Sequence, residues 1–359
     1  MLKFETKGRP LERGRQQGAV CRELAGKWVS LALADLATAF RVASPAEAVH
    51  CTREQVASWT ARLQRICPQG IEECRGIAAG ARIAESDYFA AVFGWALSPE
   101  EPRHCTTLGF RDERGRPLMA KTDDVRRQET GFNTLEITWP ESGYRHVHVH
   151  FAGTIWTVAG MNERGLAMAM TGIPGVRSAE GIPSLEALHT LLPACATVGE
   201  AIELIRDLSI GFYGFSLLLG DREGGLALVE KTGTGTVLLP GEPGGFLLHT
   251  NHILDAESAR NNPAQSEPML TNGVRRFGRG RQLAPTLPRT EKGLEAFLAD
   301  HDAPGAIWQQ GEDGLHTDFG AILLPMEGRL RIEQGPPQCR QREEIDLAKV
   351  FAKPHSAIG

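Results

Sequence analysis

No stretch of this 359-residue sequence approaches the roughly 20 consecutive apolar residues that span a bilayer. The charged opening, Met1 to Gly18, holds no apolar core of signal-peptide length either. A cytoplasmic protein with no membrane partner is expected. Runs of one charge sign are also missing. The 39 Lys and Arg are mixed with 44 Asp and Glu, for a net charge of −5, which removes the electrostatic basis for gripping nucleic acid. The seven cysteines, Cys21, Cys51, Cys67, Cys74, Cys105, Cys195 and Cys339, form an odd set with no CxxC pair and no zinc-ligand spacing, so free thiols in a reducing compartment are expected. Hydrolase signatures are scarce. Ser216 lacks the second glycine of a nucleophile elbow, and there is neither a phosphate-binding glycine loop with its lysine nor an HExxH. A small-molecule substrate is the remaining default.

What is present is an ordinary globular composition, 42% hydrophobic and 23% charged, long enough to bury a sizeable core. From about Leu11 to Leu97 the pattern is helical, Ala- and Leu-rich, with breaks at Ser44-Pro45 and Pro68-Gln69-Gly70, and predicts three or four helices. The small residues around Glu73 to Ala81 allow one of them a close approach to its neighbours. After Pro102 the character changes to β-rich runs, at Thr106 to Phe110, Leu118 to Thr122, Thr134 to Trp139, Arg145 to Phe151 and Ile155 to Ala159. Further strands are predicted up to Leu330 to Glu333, interrupted by helical stretches near Ser184, Val198, Val274 and Glu291. Grouped rather than alternating elements favour an α+β layered sandwich over a doubly wound parallel sheet.

Four clusters carry possible chemistry. Cys105 opens a predicted strand where helices give way to sheet, followed at a distance by Asp123 and Asp124; it is either a nucleophile or a buried filler. His249-Thr250-Asn251-His252 ends an apolar run and presents four hydrogen-bonding groups at a sheet edge; a polar strand end facing water is the alternative. His146, His148 and His150 alternate, so a strand turns all three to one face. With no nearby carboxylate or thiolate spacing to complete a metal site, a solvated face or packing role is the preferred account, and neither metal nor cofactor is expected. Arg275, Arg276, Arg279 and Arg281 read as a solvated helix face rather than a phosphate site.

These residues fall in an order that resembles the acyl-coenzyme A:6-aminopenicillanic acid acyltransferase family, the isopenicillin N acyltransferase-like proteins of the N-terminal nucleophile superfamily. Gly8-Arg9-Pro10 with Gly14 and Gly18 resembles the family's opening, and Glu73 to Ala81 its E-x-x-G-I-A-x-G-A helix. Cys105-Thr106-Thr107 resembles the processing site, and Asp123 the aspartate of the N-W-D motif. Gly160 to Ala167 resembles G-x-N-x-x-G-L-A; Asp221 and Glu230 have counterparts, and His249 to His252 resembles H-T-N-H. Lys121 and Thr122 stand where the family usually has Asn and Trp, and Thr171 where an asparagine often ends a strand. The resemblance implies a four-layer αββα sandwich with an N-terminal helical segment, cut between His104 and Cys105. Residues 1–104 would form a small chain that stays bound to a larger chain, 105–359, carrying the catalytic sandwich. It further implies Cys105 as nucleophile, Asp123 as the group orienting the new amine, Asn251 as oxyanion donor, and His104 and Thr106 as processing residues. Lys121, Thr122, Thr171, His249 and His252 are assigned to the pocket for a small amide or thioester. Acyl transfer, strict amide hydrolysis and an uncleaved binding protein are the functions this leaves open.

Overall fold

The computed structural model describes residues 1–94, 97, 103–173, 181–211, 214–262, 267–301 and 304–352. The strands are β1 (Leu2–Gly8), β2 (Arg103–Arg111), β3 (Pro117–Arg126), β4 (Asn133–Pro140), β5 (His146–Phe151), β6 (Ala159–Asn162), β7 (Ala167–Ile173), β8 (Ile182–Pro183), β9 (Ile210–Gly211), β10 (Gly214–Gly220), β11 (Leu226–Thr232), β12 (Gly235–Leu238), β13 (Phe246–His249), β14 (Leu315–Leu324), β15 (Arg329–Gln334) and β16 (Gln341–Asp346). The helices are α1 (Pro10–Val20), α2 (Arg22–Phe40), α3 (Pro45–Ile66), α4 (Pro68–Ala81), α5 (Glu85–Gly94), α6 (Ser184–Leu188), α7 (Leu191–Ala194), α8 (Val198–Asp207), α9 (Ala256–Asn261), α10 (Glu267–Leu283), α11 (Glu291–Leu298) and α12 (Leu347–Ala352).

Strand alternation builds the layers. One sheet runs β1-β4-β5-β6-β7-β10-β11-β12 and the other β13-β2-β3-β14-β15-β16. On β2 and β14, Leu108, Phe110, Ile322 and Leu324 belong to a core shared with Leu294, Phe297 and Leu298 of α11 and Leu248 of β13, so this face of the six-stranded sheet is covered by helix. The opposite face meets the eight-stranded sheet so closely that a Cβ on Gly109 would lie 2.8 Å from Leu218. The outer face of the eight-stranded sheet is covered by the N-terminal helices. Two central sheets between two helical layers are the αββα sandwich expected. No helix among the described residues is long and apolar enough to cross a membrane.

The N-terminal helices show how the sequence sets its packing. Ser44 caps α3 by accepting from the Glu47 amide at 3.3 Å, with Pro45 at the first helical position. Gly14 and Gly18 of α1 face Gly76 and Gly80 of α4 at backbone contact: a Cβ on Gly76 would lie 2.3 Å from the Leu11 carbonyl and one on Gly80 2.3 Å from that of Arg15. The close approach expected of this helix is therefore present. Two details differ from the sequence reading. The N-terminal region holds five helices rather than three or four, and begins with β1, which pairs in parallel with β4 from Leu2↔Thr134 onward. The strand expected at Ile155 to Ala159 starts only at Ala159; Ile155 to Val158 are buried but irregular, with the Thr157 amide donating to the Ile155 carbonyl at 3.0 Å. Positions 95 and 96, inside the predicted helical region, lie outside the described residues.

Candidate active site

Register assembles the site. In the β2–β3 pairing Cys105 is opposite Asp123, His104 opposite Asp124, Thr106 opposite Thr122, and Thr107 opposite Lys121. Alternation then sends Cys105, Lys121 and Asp123 toward the eight-stranded sheet, and His104, Thr106, Thr122 and Asp124 toward α10. Cys105 is 3% exposed. Its Sγ lies 3.5 Å from Asp123 Oδ1, and its backbone N–H donates to Asn251 Oδ1 at 2.9 Å. Asn251 follows β13, the strand beside β2, so one apolar run aligned on another delivers it to Cys105.

Asp123 is held from three directions. Lys121 Nζ is 3.3 Å from its Oδ1 and donates to the Met170 carbonyl at 2.7 Å. Asn133 Nδ2 donates to its Oδ2 at 3.0 Å and to Asp318 Oδ2 at 2.7 Å. Burial pushes the Cys105 thiol up to about 11, against the opposing pull of the Lys121 ammonium. Lys121 is itself fully buried; burial works against its charge, but the neighbouring Cys105 and Asp123 outweigh it and raise its pKa. The thiol is thus protonated at neutral pH, with the Asp123 carboxyl group in contact and the Lys121 ammonium close by.

On the other face Arg276 of α10 is completely buried. It donates to the Cys105 carbonyl, to Thr106 Oγ1 at 2.9 Å, to Asn251 Oδ1 at 2.7 Å and to Asn272 Oδ1 at 2.8 Å. His104 Nδ1 is 3.1 Å away and Asp124 Oδ2 3.8 Å. Burial, the largest influence, lifts Asp124 to about 6 despite Arg276. Burial and the same guanidinium drive His104 down to about 3, so its imidazole is neutral. Reading the four arginines as one solvated face fails here. Arg279 and Arg281 make partly exposed ion pairs with Asp300 and Glu242, but Arg276 lies in the core of the site. A signal was available: Asn272, Arg276 and Gly280 recur at four-residue spacing, and a Cβ on Gly280 would meet Leu248 at 2.8 Å, so this stripe faces the sheet.

The remaining predicted site residues divide. Thr171 Oγ1 is 2.8 Å from His249 Nδ1, whose Nε2 is 2.8 Å from Glu230 Oε1; Glu230 also accepts the backbone amides of Leu254 and Asp255. That chain props the strand end that carries Asn251. His252 Nδ1 lies 3.1 Å from Thr250 Oγ1, and its ring meets Phe277 of α10 edge-on. Thr122 is buried on the α10 side, its hydroxyl without a hydrogen-bond partner among the described residues, on the opposite face of β3 from Lys121 and Asp123. Asn251 points its oxygen at the Cys105 nitrogen and donates Nδ2 to the Gly172 carbonyl at 2.9 Å. Donation to an oxyanion would fall to this same Nδ2, which carries two hydrogens. Sequence reasoning missed Asn133, Asp318 and Asn272, which carry no motif of their own.

The three alternating histidines do share one face, the outer face of the eight-stranded sheet, but they are buried rather than solvated. A carboxylate is also at hand, contrary to expectation: β4 brings Glu136 directly opposite His148. Cross-strand register, invisible in linear spacing, supplies it.

No curated protein sequence matches this chain. Among solved structures it is similar to a mutant of conjugated bile acid hydrolase from Clostridium perfringens, at 14% identity and a TM-score of 0.44, covering 68% of this chain and 93% of that one. It is also similar to the Caenorhabditis elegans ortholog of N-acylethanolamine-hydrolyzing acid amidase, at 12% identity and a TM-score of 0.42, covering 62% and 93%. Residues 111–333, most of the two sheets and both flanks of the Asp123 and Asn251 positions, match the acyl-coenzyme A:6-aminopenicillanic acid acyl-transferase family, and the chain belongs to that family of acyl-transferring enzymes.

Proposed function

We propose that the chain cuts itself between His104 and Cys105 and then uses Cys105 to cleave or transfer an acyl group held in the amide or thioester of a small molecule. The observation that carries this reading is the pairing of Cys105 Sγ with Asp123 at 3.5 Å while the Cys105 nitrogen is held by Asn251 at 2.9 Å. The peptide nitrogen to be released already has the partner that it would keep as a free amine.

In the precursor the thiol gives its proton to Asp123, and the Sγ forms a bond to the His104 carbonyl carbon. The bond from that carbon to the Cys105 nitrogen breaks as the nitrogen takes the proton back from Asp123. Water then hydrolyses the thioester, leaving a carboxylate on His104 and a free α-amine and thiol on Cys105. Lys121 favours this step by offsetting the negative charge that develops on sulfur. Arg276 is a positioning residue that fixes the Cys105 carbonyl, Thr106 and Asn251 in one frame.

An unperturbed α-amine has a pKa near 7.7 to 8.0, far better matched to neutral pH than a carboxylate for drawing a proton from the thiol. One residue then supplies nucleophile and base. Attack on the substrate carbonyl gives an acyl-Cys105 thioester and a departing amine or thiol; water or a second amine discharges it. Family membership favours acyl groups in amide or thioester linkage as the substrate class.

The test is intact mass under denaturing conditions, run on the wild-type chain and on Cys105→Ala. Two chains from the wild type, the second beginning at Cys105, and one uncut, inactive Cys105→Ala chain are expected. A Cys105→Ala chain that is still cut before position 105 would end the proposal.

A further inference from the structure

On the far side of the eight-stranded sheet from Cys105, β4, β5 and α1 enclose a second polar cluster. Glu136, His148 and His150 are each no more than 2% exposed, and their ligand-type atoms all lie within 4.8 Å of one another. Glu136 Oε2 is 3.0 Å from His150 Nε2 and 3.6 Å from His148 Nε2. Two donors bound tetrahedrally to one zinc-sized ion at about 2.0 to 2.2 Å sit about 3.3 Å apart, so these separations are those of ligands around a common ion.

Both rings are oriented for that task. His148 Nδ1 lies 3.0 Å from Thr157 Oγ1, and His150 Nδ1 3.0 Å from the Phe151 carbonyl. A ring that donates its Nδ1 proton to oxygen turns an accepting Nε2 inward, the arrangement that fixes metal-bound histidines; here His148 Nε2 also has Thr138 Oγ1 at 3.4 Å, and His150 Nε2 has Thr134 Oγ1 at 3.2 Å and Gln17 Nε2 at 3.3 Å. Glu136 is a buried carboxylate whose partners among the described residues are Thr6, Gln17, Thr138 and the two imidazoles; none is a lysine or arginine. A buried carboxylate with no lysine or arginine against it is a place that a bound cation would fill. Gln17 Oε1 is buried with no hydrogen-bond partner among the described residues, although the same amide donates Nε2 to Glu136 Oε2 at 3.3 Å and to the Thr154 carbonyl at 2.9 Å. A metal-bound water, being a donor, would satisfy it.

A cavity of about 390 Å³ lies beside the cluster, lined by Arg13, His146 and His189 among others. The His146 and His189 rings stand 5.1 and 6.3 Å from that of His148.

We propose that Glu136, His148 and His150 bind one divalent transition-metal ion of the zinc type, with water as the fourth ligand, tying β4 and β5 to α1 behind the catalytic sheet. The donor set of two imidazoles and one carboxylate suits zinc, cobalt or iron rather than magnesium or calcium. The proposal is independent of the reaction at Cys105, and its test uses no turnover.

Full-length protein carrying Cys105→Ala, which removes the active-site thiol as a competing ligand, is stripped with a chelator and loaded with zinc or cobalt alone. One equivalent retained through gel filtration is expected, with cobalt d–d bands and no thiolate-to-cobalt charge-transfer band. His148→Gln with His150→Gln abolishes retention. Thr157→Val, which preserves shape and removes only the partner of His148 Nδ1, weakens zinc binding about tenfold or more. Substoichiometric retention, a thiolate band, or equal binding by Thr157→Val and its parent would overturn the proposal, whether or not the double variant folds.

Discussion

Arg276→Gln isolates what the buried guanidinium does, because one side chain serves the Cys105 carbonyl, Thr106, Asn251 and Asn272 at once and is the nearest cation to Asp124. Asp124 stands at about 6 with Arg276 in place, above its ordinary value near 3.9. The folded state therefore binds more protons than the unfolded state between those values. Stability falls as pH rises through that window and is level above it. Without the guanidinium the folded pKa of Asp124 rises further, and the loss continues upward past 6. A further rise of about two units, inside the 3 to 5 seen for fully buried groups, corresponds to about 2.7 kcal/mol. At about pH 5 Asp124 is protonated in the variant, and the deficit reduces to the lost hydrogen bonds, on the order of 1 kcal/mol each. At about pH 8 the extra 2 to 3 kcal/mol appears on top. Urea denaturation of the wild-type and Arg276→Gln chains, both in the Cys105→Ala background so that a single chain is followed, measures this at the two pH values. A deficit at about pH 8 equal to or smaller than that at about pH 5 would refute the reasoning.

Lys121→Met removes the cation that pulls the Cys105 thiol down, so the thiol pKa moves above about 11; alkylation of Cys105 by iodoacetamide in the uncut chain, followed by mass, should slow, and unchanged labelling would separate Lys121 from the sulfur. Gly76→Ala reverses a familiar sign. Glycine to alanine normally strengthens a helix by up to about 1 kcal/mol, but here the new Cβ meets the Leu11 carbonyl at 2.3 Å, and overpacking of this kind costs roughly 1 to 3 kcal/mol. A lower melting temperature is expected, and a higher one would contradict the close α1–α4 contact.

The positions of most strands were legible because each is a short apolar or alternating run bounded by Gly, Asn or Asp, and the predicted runs at Thr106 to Phe110 and Gly245 to Thr250 lie where β2 and β13 pair. β1 was not legible: Leu2 to Gly8 alternates charge with apolar residues in a pattern too short to separate from a polar terminus, and only its pairing with β4 makes it a strand. The glycines of α1 and α4 were readable as a licence for close contact, although their partner was not.

Composition, motif order and the helix-to-sheet change before Cys105 determined the layered α+β architecture, the family resemblance and the choice of Cys105, Asp123 and Asn251, since local period and residue type are written along the chain. Tertiary structure alone decided that Arg276 leaves its basic neighbours for the core of the site, that Asn251 meets Cys105 with its oxygen rather than its amide nitrogen, and that Glu136 joins His148 and His150. Each of these depends on register between strands or on which face of a helix is buried, quantities set by packing between segments distant in sequence.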